Sequence, residues 1–234
     1  MKALSSLAVC CTLFGSLASA DVRLPALVSD QMVLQRNDMV NIWGFASPGE
    51  AVSVVASWSG KVSEAVADEQ GNWSVRVATG DEQGPQQLTI QGKNTLTVSD
   101  ILLGEVWVCG GQSNMEWPLG RLTNYSELIA GANHPDIRLF TVKKKIAYTP
   151  EVDCVGTWQA CTPEVVKDFS AVGFLYGREL SRELGVPIGL ISCNWGGTVA
   201  EAWTSESTLA SWQDFQAGLA AVREMAGDLE GVEA

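Results

Sequence analysis

The chain has 234 residues, 46% of them hydrophobic, and a formal charge of −12 at neutral pH, which suits a globular protein of one large or two smaller domains. So acidic a chain is a poor partner for nucleic acid or an anionic membrane surface. With one histidine and no Cys/His spacing of the metal-binding kind, neither a metal site nor a cofactor is expected.

At the start, Lys2 precedes an apolar run from Ala8 to Leu17, and "ASA" at 18–20 stands before Asp21. That order reads as a secretory signal peptide over residues 1–20 rather than a buried N-terminal helix, and it predicts a secreted or periplasmic protein. No later stretch is long and apolar enough to predict a membrane span.

Residues 21–100 read as all-β. "VNIWGFA", "AVSVVASW", "NWSVRVA" and "QQLTIQG" are short β-rich runs divided by "SPGE", "SGK", "DEQGN" and "DEQGP". Short strands at regular spacing with Gly, Asn and Asp turns predict a small β-sandwich.

From residue 101 to 234 the pattern changes. "ILLGEVWVCG" is a continuous apolar run bounded by glycines, as in a strand buried on both faces of a parallel sheet. "FSAVGFLYGRELSREL" (169–184) has helical spacing, with Val172, Leu175, Leu180 and Leu184 on one face and Gly185 as its stop. "IGLISCNW" (188–195) reads as a second buried strand, and 206–227 as a second amphipathic helix. Strand, helix, strand, helix predicts an α/β domain with a parallel sheet, and a boundary near 98–103. Cys154 and Cys161 flank "VGTWQA" and are a candidate disulfide in an exported chain, whereas Cys109 and Cys193 sit in strand-like runs as small buried hydrophobes.

Two glycine turns carry the chemistry. Gly110 and Gly111 end the first parallel strand, and Gln112, Ser113 and Asn114 follow. A hydroxyl on a tight turn beside backbone N–H groups is placed as an activated serine would be. The plainer reading is a polar turn in which Ser113 or Asn114 caps the next segment. Gly196 and Gly197 end the second strand in the same way. If the two strands are neighbours, the turns face one another across one crevice, and a Gly196 or Gly197 amide becomes an oxyanion donor. The alternative there is an ordinary strand-to-helix turn.

"GEVWVCGGQSNMEWPL" (104–119) resembles the first sequence block of the sialate O-acetylesterase family, within the SGNH hydrolase superfamily. "LPALVSDQMVLQRNDMVNIWGFASPGEAVSV", "ANHPDIRLFTV", "WQACTPEVVKDFSAVGFLYGREL" and "VPIGLISCNWGGTVAEAWTS" are similar to further landmarks of that family, in the same order and up to about residue 206. The resemblance implies a fold of N-terminal β-sandwich followed by an SGNH, flavodoxin-like α/β domain. It implies Ser113 as nucleophile, Gly196 or Gly197 as oxyanion donor, and Gln112 and Asn114 as shapers of the site. The implied reaction is hydrolysis of acetyl esters on an O-acetylated carbohydrate such as a sialic acid; an esterase of another acetylated glycan, such as acetylxylan, would look similar. The family's catalytic histidine, its aspartate partner and an oxyanion asparagine lie further downstream. His134 does not match that histidine and reads as structural, and Asp168 and Glu201 read as surface or capping carboxylates. The expectation is therefore a truncated, incomplete α/β domain with little activity of its own. A non-catalytic secreted sugar-binding protein is the other function class, with Trp117, Trp195 and Trp203 available to stack on sugar rings.

Overall fold

The computed structural model describes residues 21–147 and 149–230, and the leader expected over residues 1–20 lies outside them. The first strands are β1 (Val33–Gln35), β2 (Met39–Phe45), β3 (Ala51–Ala56), β4 (Val62–Val66), β5 (Asn72–Ala78), β6 (Gln86–Gln91) and β7 (Thr95–Gly111). Alternation sets their faces: on β5, Trp73, Val75 and Val77 are buried while Asn72, Ser74, Arg76 and Ala78 are exposed. β2 and β5 form a two-stranded antiparallel sheet, and β4, β3, β6 and the first half of β7 form an antiparallel run. Both feed one apolar core, with Ile42 and Val75 from the pair and Val52, Leu88 and Ile90 from the run. The "DEQGN" turn needs its glycine: Gly71 has φ +81°, and a Cβ there would stand 2.5 Å from the Ala46 carbonyl oxygen.

Two short helices follow, α1 (Ser113–Glu116) and α2 (Ser126–Ala130), then β8 (His134–Thr141), β9 (Trp158–Cys161), α3 (Pro163–Val166), α4 (Ala171–Leu184) and β10 (Ile188–Asn194). β10 lies between β7 and β8 and runs parallel to both, while β9 closes the edge antiparallel to β8. The fold is thus mixed α/β, with one mixed sheet in the order β4-β3-β6-β7-β10-β8-β9 and β1 on β7.

β7 changes partner along its length. It pairs with β6 up to Ile101, with β1 over Leu102 to Gly104, and with β10 from Glu105 to Gly111. The change of composition near residue 100 therefore falls inside a single strand. Asp100 there has φ +56°, and the Arg138 guanidinium on β8 donates to both its carboxylate oxygens at 2.8 and 3.0 Å.

α4 begins where Ser170 Oγ accepts the Gly173 amide at 3.1 Å, and it ends at Gly185 with φ +64°. Its buried face is only in part the one the spacing predicts: Leu175 and Leu180 do pack against the core that holds Phe174 and Leu190. Phe174, Gly173 and Gly177 face the sheet, whereas Val172 and Leu184 are exposed. The small residues decide this: a Cβ on Gly177 would meet Leu190 Cδ1 at 2.6 Å, and one on Gly173 would meet Cys109 Sγ at 2.9 Å. The helix lies so close to the sheet that only glycine fits at the contact. Beyond β10 the predicted 206–227 helix is broken into α5 (Glu206–Leu209), started by the Ser205 side-chain cap, and α6 (Gln216–Glu230), with exposed Trp212 between them.

The proposed Cys154–Cys161 disulfide is not formed, and both thiols are free. Cys161 ends β9 buried in the second core, with Ile137 and Phe174, while Cys154 packs half-buried against the first. Trp158 pins the chain between them: its Nε1 donates to the Leu27 carbonyl at 3.0 Å and its ring packs on Phe140. Among the described residues no helix is long and apolar enough to cross a membrane.

Candidate active site

β7, β8 and β10 run parallel, so their C-terminal ends open on one side of the sheet. β7 ends at Gly110 and Gly111, the latter at φ +137°, and the chain turns through Gln112 into α1 with Ser113 as its first residue. β10 ends in register with it, Cys193 beside Gly110 and Asn194 beside Gly111. The ladder continues one step further, the Trp195 amide donating to the Gly111 carbonyl at 2.9 Å. Gln112 crosses the gap, its Nε2 donating to the Thr198 carbonyl at 2.8 Å. The two glycine turns are therefore bound to each other.

Ser113 is exposed, and its hydroxyl makes one long contact, 3.5 Å to Gln112 Oε1. A Cβ on Gly196 would stand 3.5 Å from both Ser113 Oγ and Ser113 Cα. The second turn therefore lies against the serine, within van der Waals reach of its side chain. The amides of Ser113 and Gly197 donate no hydrogen bond among the described residues, and Gly197 takes φ +83°. The Gly196 amide is engaged: it donates to the Glu116 carboxylate, whose other oxygen accepts the Lys144 ammonium. The Lys144 hydrogen bond, and next the Gly196 amide, hold the Glu116 carboxyl below the usual carboxylate range.

These groups surround a crevice of about 430 Å³ lined by Ser113, Glu116, Arg121, Lys144, Asp168 and Gly196. A larger groove of about 740 Å³ adjoins it, sharing Val142, Lys144 and Asn194. Its wall includes Trp195 and Trp203. Trp203 is held in place, Nε1 donating to Thr198 Oγ1 at 2.8 Å, and that hydroxyl donating to the Trp195 carbonyl at 2.8 Å.

Of the residues singled out in the sequence, Ser113 and Gly196 line one crevice, and Gln112 and Gly197 belong to the two turns that form it. Asn114 is exposed on α1 and lines neither cavity. His134 opens β8, seven residues before the end that reaches the crevice, or about 20 Å along the strand, and packs against Phe174. No imidazole stands beside Ser113. Asp168 does line the crevice, although its sequence context suggests only a surface role. Glu116 and Lys144 carry no such emphasis in the sequence. Glu116 follows Ser113 by three positions, the spacing that brings side chains together on a helix, whereas nothing separates Lys144 from its neighbours in "KKK". Among the described residues no three His, Cys, Asp or Glu side chains gather in a metal-ligating group.

Residues 103–232 match the family model described as carbohydrate esterase, sialic acid-specific acetylesterase. Over 82% of this chain, the sialate O-acetylesterases of Mus musculus and Homo sapiens are each 34% identical to it. A crystal structure of a carbohydrate acetylesterase from Xanthomonas citri superposes on 80% of the chain with a TM-score of 0.76 and 39% identity. The chain spans 39–40% of the length of the two curated relatives and 44% of the Xanthomonas structure.

Proposed function

The chain belongs to the sialic acid-specific acetylesterase family of carbohydrate esterases, and from that we propose that it is the nucleophile-bearing part of a carbohydrate O-acetylesterase, with Ser113 as the nucleophile. On this reading the first core is the family's β-sandwich and the second the opening portion of an SGNH-type α/β domain. The observation that carries the proposal is the approach of the 196–197 turn to an exposed serine hydroxyl whose one contact is a long one to Gln112.

The chemistry is acyl transfer to water. Ser113 Oγ attacks the acetyl carbonyl and gives up its proton to a base. The carbonyl oxygen takes up negative charge opposite backbone amides, for which the unpartnered N–H groups of Ser113 and Gly197 are available. The sugar hydroxyl leaves with a proton, and water then releases acetate from the serine ester. His134 stands at the far end of β8 and does not reach Ser113 as that base. The substrate class is an O-acetylated carbohydrate, a sialic acid or another acetylated glycan, whose ring would lie in the groove against Trp195 and Trp203. A leader over residues 1–20 would deliver the protein to the periplasm or outside the cell.

An alkyl fluorophosphonate tests the serine directly. The expected result is slow phosphonylation of a single peptide containing Ser113, absent from Ser113→Ala, together with slow release of acetate from a chromogenic acetyl ester, both driven by the N–H donors alone. Equal labelling of Ser113→Ala would refute the assignment. A second reading, a sugar-binding protein without turnover, is favoured by the position of the histidine. Unlabelled Ser113 with retained glycan binding would select it.

A further inference from the structure

Resting on that reading of Ser113, we infer that Glu116 is a positioning residue of the site: braced by Lys144, its carboxylate holds the Gly196 amide and so fixes the gap between the nucleophile turn and the turn after β10. The arrangement joins three strand ends. Glu116 comes from the helix after β7, Lys144 from the segment after β8, and Gly196 from the turn after β10. None of these residues is a neighbour of another in sequence, so the contact reports the spacing of the strands.

The glycine is part of the device. A Cβ at 196 would stand 2.8 Å from Glu116 Oε2, so any side chain there competes with the carboxylate for its place. An amide donating to an ionised carboxylate makes a strong hydrogen bond. It also commits the Gly196 amide to structure and leaves the Gly197 amide as the free donor of that turn.

Lys144 has a second task. A bare carboxylate beside Ser113 would oppose the negative charge that develops on the acyl oxygen. The ammonium neutralises it at contact. Arg121 and Asp168 line the same crevice as the pair, and Lys143, Lys145, Glu151 and Asp153 line the adjoining groove that shares Lys144.

Four variants of the full chain separate positioning from simple scaffolding. The readouts are the rate of phosphonylation at Ser113 and the ¹⁵N–¹H resonance of the Gly196 amide. Glu116→Gln keeps an acceptor for the amide and should label within about threefold of wild type, whereas Glu116→Ala should be on the order of ten- to a hundredfold slower. Lys144→Met strands the carboxylate and should label about tenfold slower, the effect of one pKa unit. Adding Glu116→Gln to Lys144→Met should restore the rate, which a scaffold role does not predict. The Gly196 amide resonance should follow the carboxyl titration in wild type, with a midpoint below the ordinary value of about 4.3, and lose that titration in Glu116→Gln. A flat Gly196 titration in wild type overturns the inference, as does a double variant no faster than Lys144→Met. Where Glu116→Ala does not fold, the three near-isosteric variants still decide. A wild-type chain that takes no label at Ser113 overturns the part of Glu116 in reactivity. The amide titration then shows whether the tether itself exists.

Discussion

Arg138 and Asp100 form an unequal pair, and the inequality predicts which partner matters more. The Arg138 side chain is 7% exposed and the Asp100 side chain 42%. Arg138 Nε also donates to the Pro135 carbonyl at 2.8 Å. Replacing Asp100 by Asn keeps the shape and the tolerance for positive φ but leaves a buried guanidinium facing a neutral amide. Breaking a fully buried pair costs 3–5 kcal/mol; with one partner half in water the cost here is about 2 kcal/mol. Replacing Arg138 by Met removes the buried charge, fills much of its volume, and leaves a carboxylate that water can reach, at about 1 kcal/mol or less. For a chain of this size each kcal/mol moves Tm by roughly 2–4 °C. Asp100→Asn should therefore lower Tm by about 4–8 °C, and Arg138→Met by no more than about 4 °C, in thermal melts followed by circular dichroism. Equal shifts, or a larger loss for Arg138→Met, would refute the assignment of the cost to the stranded guanidinium.

Gly196→Ala should lower Ser113 labelling by about tenfold while changing Tm by only a few degrees, because the new methyl displaces a partly exposed carboxylate and touches no core; mass spectrometry of the labelled chain and a melt together check this. A reducing agent should leave Tm unchanged, since Cys154 and Cys161 are unpaired, and thiol titration of the unfolded, unreduced chain should find both reactive. In the folded protein Cys109 should resist iodoacetamide at pH 8, because burial pushes its thiol up to about 11; rapid alkylation at Cys109 would contradict that burial. Hydrogen bonds from Gln35 and then Arg36 hold the Glu105 carboxyl below its ordinary value. A depressed folded-state pKa stabilises above the unfolded pKa of about 4.3 and stops doing so as pH falls through the lowered value. Gln35→Leu should therefore flatten the acid limb of stability against pH in denaturant titrations.

Much of this architecture is written in local signals. The alternation in "NWSVRVA" marks β5, the Gly185 stop marks the end of α4, and paired glycines mark both turns of the crevice. Each depends on residues close in sequence. What stays hidden depends on tertiary distance. The buried face of α4 follows Gly173 and Gly177, which a search for large apolar side chains passes over. Glu116 and Lys144 are 28 positions apart on different elements, and only the order of β7, β10 and β8 brings them together. The Cys154–Cys161 spacing suits a disulfide, but Trp158 anchors the intervening chain so that the two thiols pack on different cores.

β7 has a consequence for how the molecule holds together. Seventeen residues of one backbone serve as the rib of two cores, and β1, far upstream, is laid against the middle of that rib. Neither core owns the strand that ends at the serine turn. Unzipping the upstream strands would free the rib and slacken its far tip, so the chain should melt in one calorimetric step and resist being cut into two separate pieces. The early strands act as the footing for the serine turn.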